Sequence, residues 1–289
     1  MAIYNLPADF VSDAKKHEIL FYKYSPSTPS LKVKSILHTN LISLLMDGEK
    51  KIYYSNEVLR VTEKQFLLSS GGHSITSEKL SPQNKFNSLL IFFNDSVLYA
   101  FRSKYATTIS KLKSSNKAIK TSALVLEKDD FINNYILSLH LIIDNNSGCQ
   151  EEMKQLKLEE LFLYLLHTHT ASFLSFTPLT TQEVTDIQIQ KTLEAHFTSN
   201  VSVEELAFMC NMSLSTFKRR FTQRYHSSPN KWILERRITL AKELLKQPGQ
   251  KPSDVYYKIG YENHSSFTEI FKQLVGITPK EYQLQNMNA

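Results

Sequence analysis

The stretch that decides the fold is Leu206–Trp232, LAFMCNMSLSTFKRRFTQRYHSSPNKW, because it is written twice: Val255–Tyr282 reads VYYKIGYENHSSFTEIFKQLVGITPKEY. Leu206-Ala207, Asn211, Phe217, Phe221, Pro229 and Trp232 are echoed by Val255-Tyr256, Gly260, Phe267, Phe271, Pro279 and Tyr282, at an offset of 49 residues before the turn and 50 after it. The second copy therefore carries one extra residue in its turn. A repeated Phe-x3-Phe-x7-Pro-x2-aromatic marks one supersecondary unit used twice.

The residues within each copy say which unit. A short amphipathic helix (Val203 to Cys210; Ser253 to Ile259) runs into Asn211 or Gly260, residues that tolerate the left-handed conformation. An apolar plug follows (Met212; Tyr261), then a polar residue able to cap a new helix (Ser213; Asn263). This is helix, tight turn, helix. In the second helix the two Phe at i and i+4 form the buried face and turn the intervening residues outward. In a DNA major groove those would be Ser215, Thr216, Lys218, Arg219 and Thr222 in the first copy, and His264, Ser265, Thr268 and Glu269 in the second. Arg219 suits guanine; the alternatives are a phosphate contact or a solvated helix face. Arg224, Arg236 and Lys272 suit phosphate.

Between the copies, Asn230 to Lys246 is expected as one helix, with Arg236 and Arg237 partly outward. Seventeen residues at about 1.5 Å rise span roughly 25 Å, of the order needed to set two recognition helices in successive major grooves about 34 Å apart. Charge follows the same segment. From Ser213 to Lys246 nine Lys/Arg face two acidic residues, +7 of a total of +6, leaving about −1 for the rest of the chain. Concentration in one segment fits a polyanion footprint as well as it fits a solvated helix. Lys251 to Glu281 has four basic and four acidic residues, so the first copy is expected to supply most of the electrostatic affinity.

The first half reads differently. Short strands are expected at Leu31 to His38, Leu41 to Met46, Lys50 to Ser55, Glu57 to Thr62, Gln65 to Ser69 and Phe86 to Phe93, with Asp47-Gly48 as a hairpin turn and Gly71-Gly72 punctuating another pair. They suggest a small antiparallel barrel or sandwich over about 15–95. Helices follow over about 95–172. The stripe Leu158, Leu161, Phe162 and Leu165 is expected to dimerise the chain, the alternative being that it packs on its own barrel. Residues 173–185, rich in Ser and Thr with Pro178, read as a linker between a domain of 1–172 and one of 186–289.

Residues 186 to 283 resemble the DNA-binding domain of the AraC/XylS family of bacterial transcription regulators. The resemblance rests on Leu206-Ala207, Phe217 to Phe221, Arg237-x3-Ala241-x2-Leu244-Leu245, and Gly260-Tyr261 through Phe267-x3-Phe271-Lys272 to Gly276-x2-Pro279-x2-Tyr282. It implies that Ser215, Lys218 and Arg219 read bases, with His264, Ser265, Thr268 and Glu269 at the matching positions. Tyr256 stands where the family favours a small residue, His226 where it favours glycine, and Glu269 where a polar or basic side chain is common; these departures imply a weaker second unit. For the first 180 residues the resemblance implies a cupin-like barrel with helices that senses an effector, dimerises, or both, making an α+β protein with an all-α second domain. It also implies promoter DNA and RNA polymerase as partners, activation of transcription, a homodimer, and an effector that is a small molecule or a protein. The run Leu156 to Leu161 is similar to a helix in members that control type III secretion, whose N-terminal domains answer to proteins.

Other classes find little support in the residues. A metal-dependent cupin enzyme needs two or three His with a Glu on adjacent strands, whereas His17, His38 and His73 are scattered and His167 and His169 lie on different helix faces. No nucleophile elbow, phosphate loop or zincin motif is present; no metal or cofactor is expected. A nonspecific architectural DNA binder needs basic charge over a larger surface. The longest apolar run, Leu89 to Phe93, is far short of the roughly 20 residues of a membrane helix, and the start lacks a signal region, so a cytoplasmic protein without a membrane partner is expected. Cys149 and Cys210 read as small apolar fillers.

Overall fold

The computed structural model describes residues 3–112, 121–144, 150–177 and 186–287. Cys149 and residues 178–185 of the expected linker lie outside them. The chain divides into two compact bodies, Met1–Tyr53 with Leu59–Gln182, and Tyr54–Val58 with Glu183–Ala289. We call them the N-terminal and C-terminal domains.

Two five-stranded sheets form the N-terminal domain. One has the order β1 (Ile3–Leu6), β3 (Ser30–Leu37), β8 (Gly72–Lys79), β5 (Glu49–Tyr53), β6 (Val58–Thr62); the other has β10 (Ala123–Glu127), β7 (Gln65–Ser69), β4 (Asn40–Asp47), β9 (Asn87–Phe93), β2 (Ile19–Tyr24). Strand β1 pairs with β3 in parallel, whereas β3 with β8, β8 with β5 and all the pairs of the second sheet are antiparallel. The strands thus stack as two sheets rather than closing into one barrel. The sequence of the second sheet gives the reason, since both of its faces are apolar. Ile42, Leu44, Phe66, Leu68, Leu89, Ile91 and Phe93 bury one face among helices. Leu20, Leu41, Leu90 and Phe92 bury the other with Leu37 of β3. A strand covered on both sides reads as a continuous apolar run, which is why Leu89 to Phe93 is the longest in the chain.

Asp47-Gly48 and Gly71-Gly72 do not make hairpins within a sheet. Each carries the chain from one sheet to the other, β4 to β5 and β7 to β8. At Gly48, with φ 94°, a Cβ would meet the Lys79 carbonyl oxygen at 2.7 Å, so only glycine fits that crossing. Strands β1, β2, β8 and β10 have no counterpart in the sequence reading. Strand β8 (GHSITSEK) is polar and shows no alternation. Its charge is absorbed between the sheets, where Lys50 Nζ lies 3.6 Å from Glu78 and Tyr24 donates to Glu78 at 2.8 Å. Burial lowers the pKa of Lys50, and Glu78 opposes that shift.

Helices α1 (Asp95–Lys104), α2 (Ala106–Leu112), α3 (Asp130–Asp144), α4 (Gln150–Thr168) and α5 (Thr170–Ser175) cover the outer face of the second sheet. This corrects the expected dimer contact. Leu158, Leu161, Phe162 and Leu165 are at most 1% exposed and pack inside their own domain, so these four side chains are not available to a partner. Helices α3 and α4 instead expose Leu137, Leu141, Met153 and Leu156. The expected linker also starts later than residue 173, because Phe173 and Phe176 are fully buried in the same core.

The C-terminal domain is all helical: α6 (Asp186–His196), α7 (Val203–Met209), α8 (Leu214–Tyr225), α9 (Pro229–Leu245), α10 (Pro252–Lys258), α11 (His264–Val275) and α12 (Pro279–Met287). Ile189, Leu193, Leu206, Ala207, Phe217 and Phe221 are buried on the first copy of the repeat. Ile238, Ala241, Leu245, Val255, Ile259, Phe267 and Phe271 form one cluster on the second. Among the described residues no helix is long and apolar enough to cross a membrane.

Candidate nucleic-acid interface

The two copies fold alike to the level of single hydrogen bonds. Asn211 (φ 54°) and Gly260 (φ 84°) take the left-handed conformation that turns the chain between helices. The next amide closes the turn in each, Met212 N to the Ala207 carbonyl at 2.9 Å and Tyr261 N to the Tyr256 carbonyl at 3.0 Å. The recognition helices are capped as their sequences specify. Ser213 Oγ accepts from Thr216 N at 3.2 Å, and Asn263 Oδ1 accepts from Ser266 N at 2.8 Å. Helix α7 has a full capping box, Ser202 Oγ accepting from Glu205 N while Glu205 accepts from Ser202 N.

Burial of Phe217 and Phe221 fixes the rotation of α8, and Phe267 and Phe271 that of α11. On α8 this leaves Ser215, Lys218, Arg219 and Thr222 exposed and Thr216 half-buried, its hydroxyl engaged by the Ser213 cap at 2.9 Å. On α11, His264, Ser265 and Glu269 are exposed, and the half-buried Thr268 donates to the His264 carbonyl at 2.9 Å. Each set lies on one helix and faces solvent, the arrangement a groove-reading helix requires. Arg224 and Lys272, at the far ends of the two helices, are exposed as well.

The second set differs from the first in a way the sequence foreshadowed. Tyr256 is the counterpart of Ala207, which is buried beneath α8. The larger ring stays half-buried and meets the His264 ring edge-on, centroids 5.9 Å apart. His264 is also 6.3 Å from the ring of Phe267, so it projects from between two aromatic rings. The first set carries two cations, Lys218 and Arg219, whereas the second carries the carboxylate of Glu269.

Helix α9 joins the copies and has 17 residues, begun by a Ser228 cap with Pro229 in the first turn. Of its two adjacent arginines, Arg236 is exposed but paired with Glu194 of α6 at 3.5 Å. Arg237 is half-buried, in keeping with its expected partly outward place, but its guanidinium turns back onto the protein. Its Nε donates to the Phe197 carbonyl at 2.5 Å and its Nη2 to the Ser199 carbonyl at 2.8 Å, and burial lowers its pKa. Sequence reasoning missed this role because an arginine's target, two main-chain carbonyls 38 and 40 residues away, leaves no pattern near the arginine itself.

Among the described residues no group of three or more His, Cys, Asp or Glu could hold a metal ion. His17 lies 3.5 Å from Glu151, His38 bonds to Asn5, and His196 contacts the Tyr54 carbonyl. Cys210 is buried beside Thr192, and burial pushes its thiol up to about 11, away from the reactive thiolate.

Comparison with known proteins matches two separate segments of the chain. Residues 40–176 match the family described as ExsA N-terminal regulatory domain, and residues 206–285 the family described as helix-turn-helix domain. The chain is 25% identical over 259 residues to the virulence regulon transcriptional activator VirF of Yersinia enterocolitica, covering 89% of this chain and 93% of that one. It is 29% identical over 147 residues to the HTH-type transcriptional regulator ExsA of Pseudomonas aeruginosa, 46% of this chain and 52% of that one. The solved structure of ToxT from Vibrio cholerae is similar at a TM-score of 0.39 and 14% identity, over 92% of this chain and 98% of that one. With both halves matched and both helix-turn-helix copies intact, the chain belongs to the AraC/XylS family of bacterial transcription regulators.

Proposed function

We propose that this protein is a sequence-specific transcription activator that binds double-stranded promoter DNA through two helix-turn-helix units of unequal strength. The observation that carries the proposal is the exposed set Ser215, Lys218, Arg219 and Thr222 on a capped helix whose rotation is fixed by two buried Phe. Helix α8 and the segment to Lys246 form the basic anchor. Helix α11, with Glu269 and the ring-flanked His264, adds selectivity at lower affinity. Arg224 and Lys272 take phosphates; Arg236 does so in exchange for its pair with Glu194. Activation agrees with the described function of VirF and requires contact with RNA polymerase.

The N-terminal domain receives the signal. Its match to a regulatory domain supports that assignment, and a protein or small-molecule effector or a second copy of the chain is its partner in this reading. The chain acts in the cytoplasm, where promoter DNA is.

The test is selection of bound duplexes from a random library by the full chain, followed by competition binding at fixed salt and run-off transcription. A selected site preferred about a thousandfold or more over random DNA is expected, the range typical of specific regulators being roughly 10³–10⁷. A ratio near unity would sink the proposal in favour of a nonspecific binder. A specific site at which added protein does not raise transcription would leave a repressor.

A further inference from the structure

We infer that Arg237 is a positioning residue that sets the spacing between the two recognition helices, and not a DNA contact. This rests on the DNA-binding reading above and deepens it. Arg237 sits midway along α9, the element between the copies. Its guanidinium reaches back to the loop after α6, donating to the carbonyls of Phe197 and Ser199. The same guanidinium lies 5.5 Å from the ring centroid of Tyr261, the plug in the turn between α10 and α11. One side chain therefore holds the first copy's supporting loop and the second copy's turn.

The turn itself presses on that loop. A Cβ at Gly260 would come within 2.4 Å of the Thr198 carbonyl oxygen and 3.1 Å of Arg237 Nη2. Beside this contact, Asn200 Nδ2 donates to Glu262 Oε1 at 2.5 Å. Residues 197–200 and 260–262 thus meet directly, with Arg237 seated in the junction. Among the described residues no carboxylate is paired with the arginine there. Its partners are carbonyls just past the end of α6, where the helix dipole favours a cation, and the face of an aromatic ring.

Planarity explains why the residue is arginine. A guanidinium donates along two directions in a fixed fork and stacks on a ring at the same time, whereas an ammonium is a point donor on a flexible stem. A fork with two fixed partners on one copy and a ring on the other defines an angle between them. If that angle sets the distance between α8 and α11, the protein reads not only two subsites but the number of base pairs separating them.

The experiment uses the full chain and the duplex obtained by selection, in three forms: the natural site, the same site with one base pair inserted between its two subsites, and the subsite for α8 alone. The variants are Arg237→Met and Arg237→Lys, with binding read by fluorescence anisotropy at several salt concentrations. The wild type is expected to lose tenfold or more on insertion. Arg237→Met is expected to bind the natural site about tenfold more weakly, to lose less than threefold on insertion, and to bind the single subsite as the wild type does. Its salt slope should equal that of the wild type, because a lost phosphate contact would reduce the slope by about 1.

Arg237→Lys keeps the charge without the fork and should behave like Arg237→Met; it also carries the test should Arg237→Met fail to fold. Full spacing discrimination in a folded variant, rescue by lysine, or a reduced salt slope would each overturn the inference. An equal loss on the single subsite would overturn it too, by making Arg237 a support of the first copy alone. Failure of the wild type to select any sequence would instead bring down the DNA-binding reading, and this inference with it.

Discussion

His226 and Gly276 end the two recognition helices in the same left-handed conformation, with φ of 52° and 90°, fifty residues apart in the repeat. Each amide bonds back into its helix, His226 N to the Thr222 carbonyl at 2.9 Å and Gly276 N to the Lys272 carbonyl at 2.8 Å. The geometry is the common glycine helix ending, so His226 holds a conformation that an L side chain enters at a cost of about 1–2 kcal/mol, partly offset because glycine is freer in the unfolded chain. His226→Gly is therefore expected to stabilise the C-terminal domain by about 0.5 kcal/mol. Gly276→Ala should destabilise it by about 1 kcal/mol, from backbone strain alone, because a Cβ there would meet nothing within 4 Å. Urea titration followed by fluorescence isolates this domain, since the single tryptophan of the chain, Trp232, packs edge-on to Phe221 at 6.2 Å. A destabilised His226→Gly would show that the imidazole makes a contact worth more than the strain.

The two copies should also answer unequally to mutation of their outward residues. Arg219→Ala is expected to weaken specific binding by about 1–3 kcal/mol, which is the range for a bidentate contact to a base. Glu269→Ala, removing a carboxylate from a surface facing phosphates, should leave affinity unchanged or raise it a few-fold. Anisotropy titrations of both variants on the selected duplex check the order. Greater sensitivity at Glu269 would reverse the ranking of the two units.

Much of this interface was legible because its determinants are local. The spacing Phe217 to Phe221 fixes which way Arg219 faces, and Ser213 and Asn263 announce helix starts through bonds to residues three places on. The N-terminal domain was less legible because its determinants are not local. Whether Gly48 makes a hairpin or a crossing depends on Lys79 and Phe86, more than thirty residues away. The stripe from Leu158 to Leu165 shows an apolar face without saying what covers it; the cover is the second sheet, whose Phe93 meets Phe162 at 5.3 Å. Arg237 belongs with these, since its partners are Phe197, Ser199 and Tyr261.

The covered stripe changes what a mutation there should do. Leu161 is wholly buried among the helices and the second sheet, so Leu161→Ala should cost about 2–5 kcal/mol through lost apolar contact and the cavity left behind. The loss should appear as a lower melting temperature of the N-terminal domain at every protein concentration. Sedimentation of the still-folded variant should give the same oligomeric state as the wild type. A shift towards monomer without loss of thermal stability would place Leu161 at a subunit contact after all.

Lys128 gives the N-terminal domain a pH dependence of predictable sign. Its ammonium is half-buried, donates to the carbonyls of Leu45 and of Glu63, and is brought down to about 8 by burial, against the opposing pull of Glu63 and Asp47. In the unfolded chain a lysine titrates near 10.5. Between pH 8 and pH 10 the unfolded state therefore binds more protons than the folded one, and stability rises with pH across that window. The gain should be about 1 kcal/mol, well below what a fully buried lysine with this shift would show, because the group retains solvent. Lys128→Met removes the titration and should flatten the rise; urea midpoints followed by far-UV circular dichroism from pH 7.5 to pH 10 measure both proteins. An equal slope in the variant would assign the dependence to another group, and a wild-type stability that falls across the window would show that Lys128 is not titrating there.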